Sequence, residues 1–240
     1  MSYEEKILKL INNGYLTTKE VTKNNIPKVY LTKMVCDNVI ERVSRGIYIK
    51  SNDIAEDMVI LQHKSKNAIY SNTTSLFLHG LSNRLPIKYD ITINSGYNGS
   101  LQKISNVNLF YVKKELLELG VMNYKLDSGY SIRIYDLERT ICDIIKNKKK
   151  LDRELVNKAI REYFYSKNKN TLKLYDYAKK LNIYEKVKNT FEVLTWLKIK
   201  IENDSSLKNL WDNYTSNYEY AKGIFYDDTI KAIRSINNLL

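Results

Sequence analysis

The N-terminal part of the chain restricts the fold most, because helix and strand signals follow one another there in a specific order. Apolar side chains at helical spacing predict a first helix over residues 3–12. Thr17 is followed three residues later by Glu20, which fits a capping box with Thr17 as the N-cap of a second helix. Pro27 suits the first turn of a third helix, which extends to about Asn38.

A β-hairpin signal follows these three helices. Residues 39–43 and 47–49 are rich in β-branched side chains, as short strands are, and Gly46 in the link between them can adopt a positive φ. Three helices and a hairpin within residues 1–50 are typical of a winged helix-turn-helix. The order is more specific than any one element, because a random sequence often contains a capped helix but rarely the whole series.

The rest of the chain predicts a mixed domain in which strands are followed by helices. Strand-like segments lie at residues 89–93, 107–112 and 130–134. Helices are expected near 54–67 and 72–79, from Asp136 onward, and near 151–166, 171–181, 183–202 and 227–238. The predicted fold class is therefore α+β. Its domains are a winged helix-turn-helix over residues 1–50, a mixed sheet-then-helix domain over 51–200, and a helical C-terminal extension over 201–240.

The formal net charge of +12 points toward a nucleic-acid partner. However, the 31 Lys accompany 26 Asn and 20 Tyr, residues that share A/T-rich codons, so codon bias accounts for the lysine excess equally well. The distribution of charge is more informative than its sum. Residues 1–50 carry net +4 and residues 141–200 carry net +9, whereas residues 51–140 carry only +1 and residues 201–240 carry −2.

The third helix of a winged helix-turn-helix enters the major groove of DNA, while flanking groups hold phosphates. One face of the predicted third helix carries cations and a hydroxyl, with a tyrosine at its edge, and an arginine at the hairpin tip can enter a narrow minor groove. Each of these cations has a simpler interpretation as a solvated surface charge. The candidate DNA-binding residues are Lys28, Tyr30, Thr32, Lys33, Arg42, Arg45 and Lys50.

Catalytic and metal signals are weak, and we expect no enzyme, no cofactor and no metal site. The two histidines, His63 and His79, lack a nearby pattern of metal ligands, and none of the eight glycines forms a phosphate-binding loop. Cys36 and Cys142 cannot make a disulfide framework and are each expected to be small buried hydrophobic residues. With no leader and no apolar run of about 18 to 20 residues, a cytoplasmic protein is expected.

Residues 135–143 read Tyr-Asp-Leu-Glu-Arg-Thr-Ile-Cys-Asp, and this cluster has two interpretations. Its acids could perform acid–base chemistry. Alternatively, Asp136 is an N-cap, Glu138 interacts favourably with the helix dipole, and Arg139 pairs with a neighbouring acid. The structural interpretation is preferred.

Two groups of residues carry a resemblance to a known family. One comprises Gly14-Tyr-Leu-Thr-Thr-Lys-Glu-Val21 and the hairpin Arg42-Val-Ser-Arg-Gly-Ile-Tyr48; the other comprises Tyr70-Ser71, Leu78-His-Gly-Leu81 and residues 135–143. Over roughly residues 1–195 the chain resembles the AbiEi antitoxins of type IV abortive-infection toxin–antitoxin systems.

The resemblance implies a winged-helix domain that binds repeats upstream of its own operon and represses it, and a C-terminal domain that provides antitoxicity. The functional partner would be a nucleotidyltransferase-like toxin, which type IV antitoxins need not bind directly. Residues 210–225 depart from a minimal antitoxin and resemble the C-terminal end of the toxin family. Two other functions stay open: a protein-interaction or enzymatic antitoxin acting mainly through its C-terminal domain, and a plain winged-helix transcription factor.

The net +9 of residues 141–200 has no motif to explain it. Most of the run Lys146–Lys150 and several later lysines could bind the DNA backbone, an acidic toxin or an RNA. They could equally be solvated helix faces enriched in lysine by codon bias.

Overall fold

A computed structural model describes residues 1–11, 14–53, 55–127, 129–205 and 207–209 and shows an α+β protein. The chain divides into two compact units, Met1–Val187 and Lys188–Leu240. The predicted boundaries at residues 50 and 200 therefore stay predictions. Most of the predicted 201–240 extension, including the helix near 227–238, lies outside the described residues.

The N-terminal part of the first unit contains the three predicted helices and the predicted hairpin, together with a short strand that the sequence did not reveal. The strands form a three-stranded antiparallel sheet in the order β1-β3-β2. The elements are α1 (Tyr3–Leu10), β1 (Leu16–Thr17), α2 (Thr18–Lys23), α3 (Val29–Cys36), β2 (Ile40–Ser44) and β3 (Ile47–Lys50).

Capping boxes fix where the first two helices begin. The prediction for Thr17 is confirmed: its Oγ1 accepts from the Glu20 backbone N–H at 3.2 Å, while the Glu20 carboxylate accepts from the Thr17 N–H at 2.7 Å. Ser2 and Glu5 make the same reciprocal pair at the start of α1, which the sequence analysis overlooked. Each box satisfies backbone donors that an uncapped helix end leaves without partners.

The three helices and the sheet enclose one apolar core. Buried side chains from α1, α2 and α3 meet those of the first two strands, and Tyr30 and Tyr48 pack at its margin. Because Leu31 and Met34 turn one side of α3 into this core, the opposite side of α3 faces solvent. The core residues are Ile7, Ile11, Leu16, Val21, Ile26, Leu31, Met34 and Ile40.

A mixed five-stranded sheet in the order β6-β5-β4-β8-β7 forms the centre of the following region. The pairs β5–β6 and β4–β8 are parallel, and the pairs β4–β5 and β7–β8 are antiparallel. The elements of this region are α4 (Asp57–Lys64), β4 (Ile69–Tyr70), α5 (Asn72–Leu78), β5 (Tyr89–Asn94), a 3₁₀ turn (Ser100–Lys103), β6 (Val107–Val112), α6 (Lys114–Leu117), β7 (Val121–Lys125) and β8 (Ser131–Tyr135).

Helices complete the first unit, as the sequence predicts. Helix α7 packs against α5, α8 and α9, and its Asp136 N-cap accepts from the Arg139 N–H at 2.8 Å, which confirms the predicted cap. The helices are α7 (Leu137–Asn147), α8 (Arg153–Tyr165), α9 (Thr171–Lys180) and α10 (Tyr184–Asn203), the last of which continues into the second unit.

An aromatic junction, defined as Tyr15, His63 and Tyr130, joins the N-terminal elements to the five-stranded region. The Tyr130 hydroxyl and His63 Nε2 are hydrogen-bonded, and the Tyr15 and Tyr130 rings meet edge to face at 5.3 Å. Tyr15 also packs with Ile47 of the hairpin and Val59 of α4 in a shared apolar cluster. Residues on both sides of position 50 therefore share one buried interface.

Helix α4 is shorter than the predicted 54–67. It ends at Lys64 because the Gln62 side-chain amide donates to the carbonyls of Ser65 and Ala68, which holds a turn in place of further helix. Strand β7 was not predicted. Its burial pattern lacks the two-residue alternation of a half-buried strand, as fits its position at the edge of the sheet.

Candidate nucleic-acid interface

Helix α3 presents part of the predicted interface to solvent. Lys28, Thr32 and Lys33 are all exposed, as expected from their spacing relative to buried Leu31 and Met34. Lys28 lies at the N-cap and the other two lie one turn further along. The sequence-predicted face is thus accessible to a ligand.

Two members of that face are engaged with α1. Lys33 Nζ lies 2.7 Å from a Glu4 carboxylate oxygen, and this hydrogen bond and charge raise the pKa of Lys33. Tyr30 is half-buried and its ring lies 4.8 Å from that of Tyr3. Both α1 partners are distant in sequence, so the face is divided between a free side around Lys28 and a side that α1 occupies.

The hairpin places Arg42, Arg45 and Lys50 in solvent. Gly46 adopts φ 76°, a left-handed conformation that confirms the predicted turn. The Gly46 carbonyl accepts from the Thr18 backbone N–H at 2.9 Å, which ties the tip of the hairpin to the start of α2. The turn that carries Arg45 is therefore held beside α2.

Sequence reasoning missed a set of polar residues on α2. An open concavity of about 360 Å³ lies between α2 and the start of α3 and is lined by Thr18, Lys19, Thr22, Lys23 and Lys28. The residues Lys19 and Lys23, and likewise Thr18 and Thr22, are spaced by one helical turn, and this spacing was the available signal. Three lysines around one hollow make a concentrated positive surface that suits a phosphate group.

Cys36 corrects an expectation. We expected a small buried hydrophobic residue, but Cys36 is exposed at the end of α3. It lies two residues beyond Met34, about 200° around the helix from that buried side chain, and so falls on the solvent face. Cys142 is buried as expected, and burial raises the pKa of its thiol.

The charged residues of α7 are located very differently from those of α3. Arg139 is fully buried; its Nε lies 3.1 Å from Asp143, and Nη1 donates to the carbonyls of Leu116 and Leu119. Its guanidinium carbon lies 4.2 Å from the centre of the Tyr135 ring. Burial raises the pKa of Asp143, and the charge of Arg139 opposes that rise. The predicted pairing of Arg139 with an acid is confirmed.

The other acids of this motif are also satisfied within the fold. Asp136 accepts from Tyr177 Oη and lies 3.0 Å from Lys173 Nζ, while Glu138 accepts from Tyr163 Oη and from a backbone N–H. These bonds join α7 to α8 and α9. The motif at residues 135–143 therefore connects three helices, a role that goes beyond the predicted cap and ion pair.

The histidines have structural partners. His79 Nε2 lies 2.8 Å from the carbonyl oxygen of Tyr135, and His63 belongs to the aromatic junction. Burial lowers the pKa of His63. Among the described residues, no group of three or more histidines, cysteines and acids could hold a metal ion, and no helix is both long and apolar enough to cross a bilayer.

Part of the basic segment 141–200 is balanced by acids along the same helices. Lys158 pairs with Glu162 and Lys180 with Asp176, in each case at a spacing of four residues. Lys146, Lys148, Lys149 and Lys150 instead lie exposed at the end of α7 and in the turn that follows it. Lys158 and Lys180 therefore belong to ordinary solvated helix faces.

Comparisons with known proteins give information about the fold of this chain but not about its function. No protein-family model and no curated protein sequence matches the chain. Among solved structures it is similar to the crystal structure of the RV2827C protein from Mycobacterium tuberculosis, with a TM-score of 0.51 and 9% sequence identity over 74% of this chain and 71% of that one. The likeness supports the α+β architecture.

Proposed function

We propose that the chain is an antitoxin that binds DNA and represses its own operon, with residues 1–50 acting as a winged helix-turn-helix. Helix α3 is then the recognition helix, the β2–β3 hairpin is the wing, and the operator is double-stranded DNA. The functional partner is a nucleotidyltransferase-like toxin. The antitoxin itself performs no catalysis.

The observation that carries this proposal is the exposed face of α3, which lies opposite the side of the helix that packs into the core. Lys28 and Thr32 point away from the residues that hold the helix, and the α2 concavity adds Lys19 and Lys23 beside them. A recognition helix needs such a face, because groups that read bases must be free of the protein interior. Lysines alongside can hold the flanking phosphates and so fix the register.

The hairpin supports the same geometry. The bond between the Gly46 carbonyl and the Thr18 N–H holds the turn beside α2, so Arg45 and the α2 lysines belong to one small structural unit. An arginine at this tip can reach a minor groove adjacent to the major groove that receives α3. Two groove contacts from one rigid element would set the position of the protein on DNA.

The antitoxin part of the proposal rests on the resemblance at residues 14–21, 42–48 and 135–143. Because Arg139, Glu138 and Asp143 are buried, their role in the proposed antitoxin is to maintain the fold rather than to touch the toxin. Any surface that opposes the toxin must lie elsewhere on the chain.

The test is a gel-shift titration against the DNA upstream of the chain's own gene. The triple variant Lys28→Ala, Lys33→Ala, Arg45→Ala removes three cations from the proposed interface and should weaken binding and make its salt dependence shallower. The matched control is Lys146→Ala, Lys149→Ala, Lys150→Ala, which removes the same charge from the exposed end of α7 and the turn that follows it.

The two triple variants distinguish binding at a specific interface from binding driven by the overall charge of the protein. Loss of affinity in the first and not in the second supports the interface. Equal losses would mean that binding depends as much on overall charge, or on the lysines at the end of α7, as on the proposed interface. An unchanged first triple would refute the proposed reading face. Co-expressing full-length chain with the product of the gene immediately downstream tests antitoxicity, since failure to rescue growth contradicts that part of the proposal.

A second candidate is an antitoxin that acts through a protein surface. The loop between α5 and β5 exposes two large apolar side chains around Pro86, with Leu85 72% and Ile87 95% accessible. Such side chains suit contact with another protein. The double variant Leu85→Ser, Ile87→Ser should abolish rescue while leaving DNA binding intact if this candidate is right; unchanged rescue would eliminate it.

A further inference from the structure

The centre of the exposed face of α3 is not basic. Val29, Thr32 and Cys36 are separated by three and four residues and therefore form one stripe along the helix. All three are exposed, and Val29 is 67% accessible. Lys28 and Lys33 lie on either side of the stripe, so small apolar groups stand between two cations.

This arrangement restricts the chemistry of a partner. The lysines of α2 and the start of α3 require negative charge, whereas the Val29 methyl groups and the Cys36 thiol gain nothing from a charged or strongly hydrated group. The partner must therefore present apolar groups between rows of anions. Duplex DNA does so in its major groove, where the 5-methyl group of thymine projects between the two phosphate backbones.

Other polyanions fit less well. The major groove of an RNA duplex is deep and too narrow for side chains to read, and uracil has no methyl group to contact. An acidic protein surface could satisfy the lysines but would leave the stripe against carboxylates. Charge complementarity together with the stripe thus favours DNA that contains thymine.

We propose that Val29, Thr32 and Cys36 read thymine 5-methyl groups in the major groove. This inference rests on the proposed function, because it assigns a base contact to the proposed recognition helix. Lys28 and the concavity lysines Lys19 and Lys23 hold phosphates on the α2 side of the helix. Lys33 is partly neutralised by Glu4, so the strongest phosphate contact lies on the side away from α1.

The contact with the methyl groups is hydrophobic, so its contribution to the binding free energy adds to that of the phosphate contacts. Each thymine methyl removed from water by Val29 or by the Thr32 methyl group should strengthen binding by about fourfold, the amount expected for one buried methylene-sized group. Cytosine and uracil at the same positions lack that group. The stripe therefore selects thymine over uracil without using any hydrogen bond.

The experiment compares two versions of one probe. The DNA upstream of the chain's own gene is amplified with dTTP or with dUTP, so that the two duplexes differ only by thymine methyl groups. Full-length protein should bind the uracil duplex at least about fourfold more weakly. Val29→Ala should reduce that ratio, whereas Lys28→Ala should weaken binding to both duplexes equally.

The possible results separate the two proposals. Equal binding of both duplexes by the unaltered protein would overturn the methyl contact and leave the DNA-binding function standing. A ratio that persists undiminished in the combined Val29→Ala, Thr32→Ala variant would also overturn it, because another residue would then read the methyl groups. Failure to bind either duplex would overturn the DNA-binding function and the methyl contact together.

Discussion

Helices α3 and α7 both carry charged side chains in motifs that attract functional interpretation, yet they use them in opposite ways. On α3, Lys28 and Thr32 stand in solvent beside a basic concavity. On α7, Arg139 is fully buried against Asp143 and two backbone carbonyls. A charged motif therefore suggests a binding surface only when the core behind it is filled by other residues.

A substitution at Arg139 tests the difference between α3 and α7 most directly. Arg139→Met leaves Asp143 buried without its partner and removes two donors to backbone carbonyls, so the free energy of unfolding should fall by about 3 to 5 kcal/mol. Urea denaturation measures this loss. Lys146→Met on the same helix is the control and should change stability by no more than about 0.5 kcal/mol because Lys146 is exposed.

A double variant sharpens the interpretation. Replacing both partners, Arg139→Met with Asp143→Leu, should recover part of the loss, since no uncompensated buried charge remains. If Arg139→Met alone proved as stable as the unaltered chain, the view that this motif holds the fold together would be wrong.

On the N-terminal side, the equivalent structural group is Thr17. Thr17→Ala removes the cap of α2 and should cost about 1 kcal/mol. The measurement is again urea denaturation, with Thr32→Ala as the matched control, because Thr32 is exposed on α3. If Thr32→Ala lowered the free energy of unfolding as much as Thr17→Ala, the view that the Thr17 hydroxyl stabilises the fold while the Thr32 hydroxyl is only exposed to solvent would be wrong.

The sequence anticipated the groups that fix α2, α7 and the hairpin turn better than it anticipated the surroundings of α3. Caps at Thr17 and Asp136 follow from local spacing, and so does the left-handed Gly46. The pairing of Lys33 with Glu4 spans 29 residues and depends on how α1 packs on α3, which no local pattern records. The exposure of Cys36 was not predicted, because cysteine is a residue type that is usually buried. Its angular position on α3 places it on the solvent side of the helix.

The strands also show that local sequence patterns do not reveal features that depend on contacts between distant residues. Strand β6 alternates little but was found by its β-branched and aromatic content, whereas β1 has only two residues and exists through pairing with β3. A strand of that length has no periodicity to detect. The α2 concavity was missed because it needs the start of α3 as its second wall.

The pH dependence of stability should reveal the aromatic junction. Burial lowers the pKa of His63, so the unfolded chain binds a proton at this residue more readily than the folded chain does. The stabilising contribution of neutral His63 is fully present above the unfolded pKa of about 6.5 and is lost as pH falls toward the lower folded pKa.

Denaturation from pH 7.5 downward, compared between the unaltered chain and His63→Gln, isolates this contribution. The variant should lose less stability on acidification, while His79→Gln serves as the control because it removes the other histidine. Parallel curves for the unaltered chain and His63→Gln would contradict the burial of a neutral imidazole.

The smallest expected effect concerns the side of α3 that α1 occupies. Glu4→Gln keeps the shape of Glu4 but releases Lys33 from its ion pair, so affinity for upstream DNA should rise by about two- to threefold at low salt. Glu115→Gln makes the same charge change at an exposed position of α6 and serves as the control. An equal gain from both variants would show that only net charge matters.

The aromatic junction also determines how the proposed antitoxin function can be tested. Cutting the chain after residue 50 would remove Tyr15 and Ile47 from the cluster that covers Val59 and packs against Tyr130. The remaining fragment would then expose an apolar surface that is buried in the intact chain. Loss of rescue by such a fragment would then report aggregation as readily as loss of activity. Point substitutions in the intact chain avoid that ambiguity, and they let the proposed operator binding and the proposed toxin neutralisation be tested one at a time.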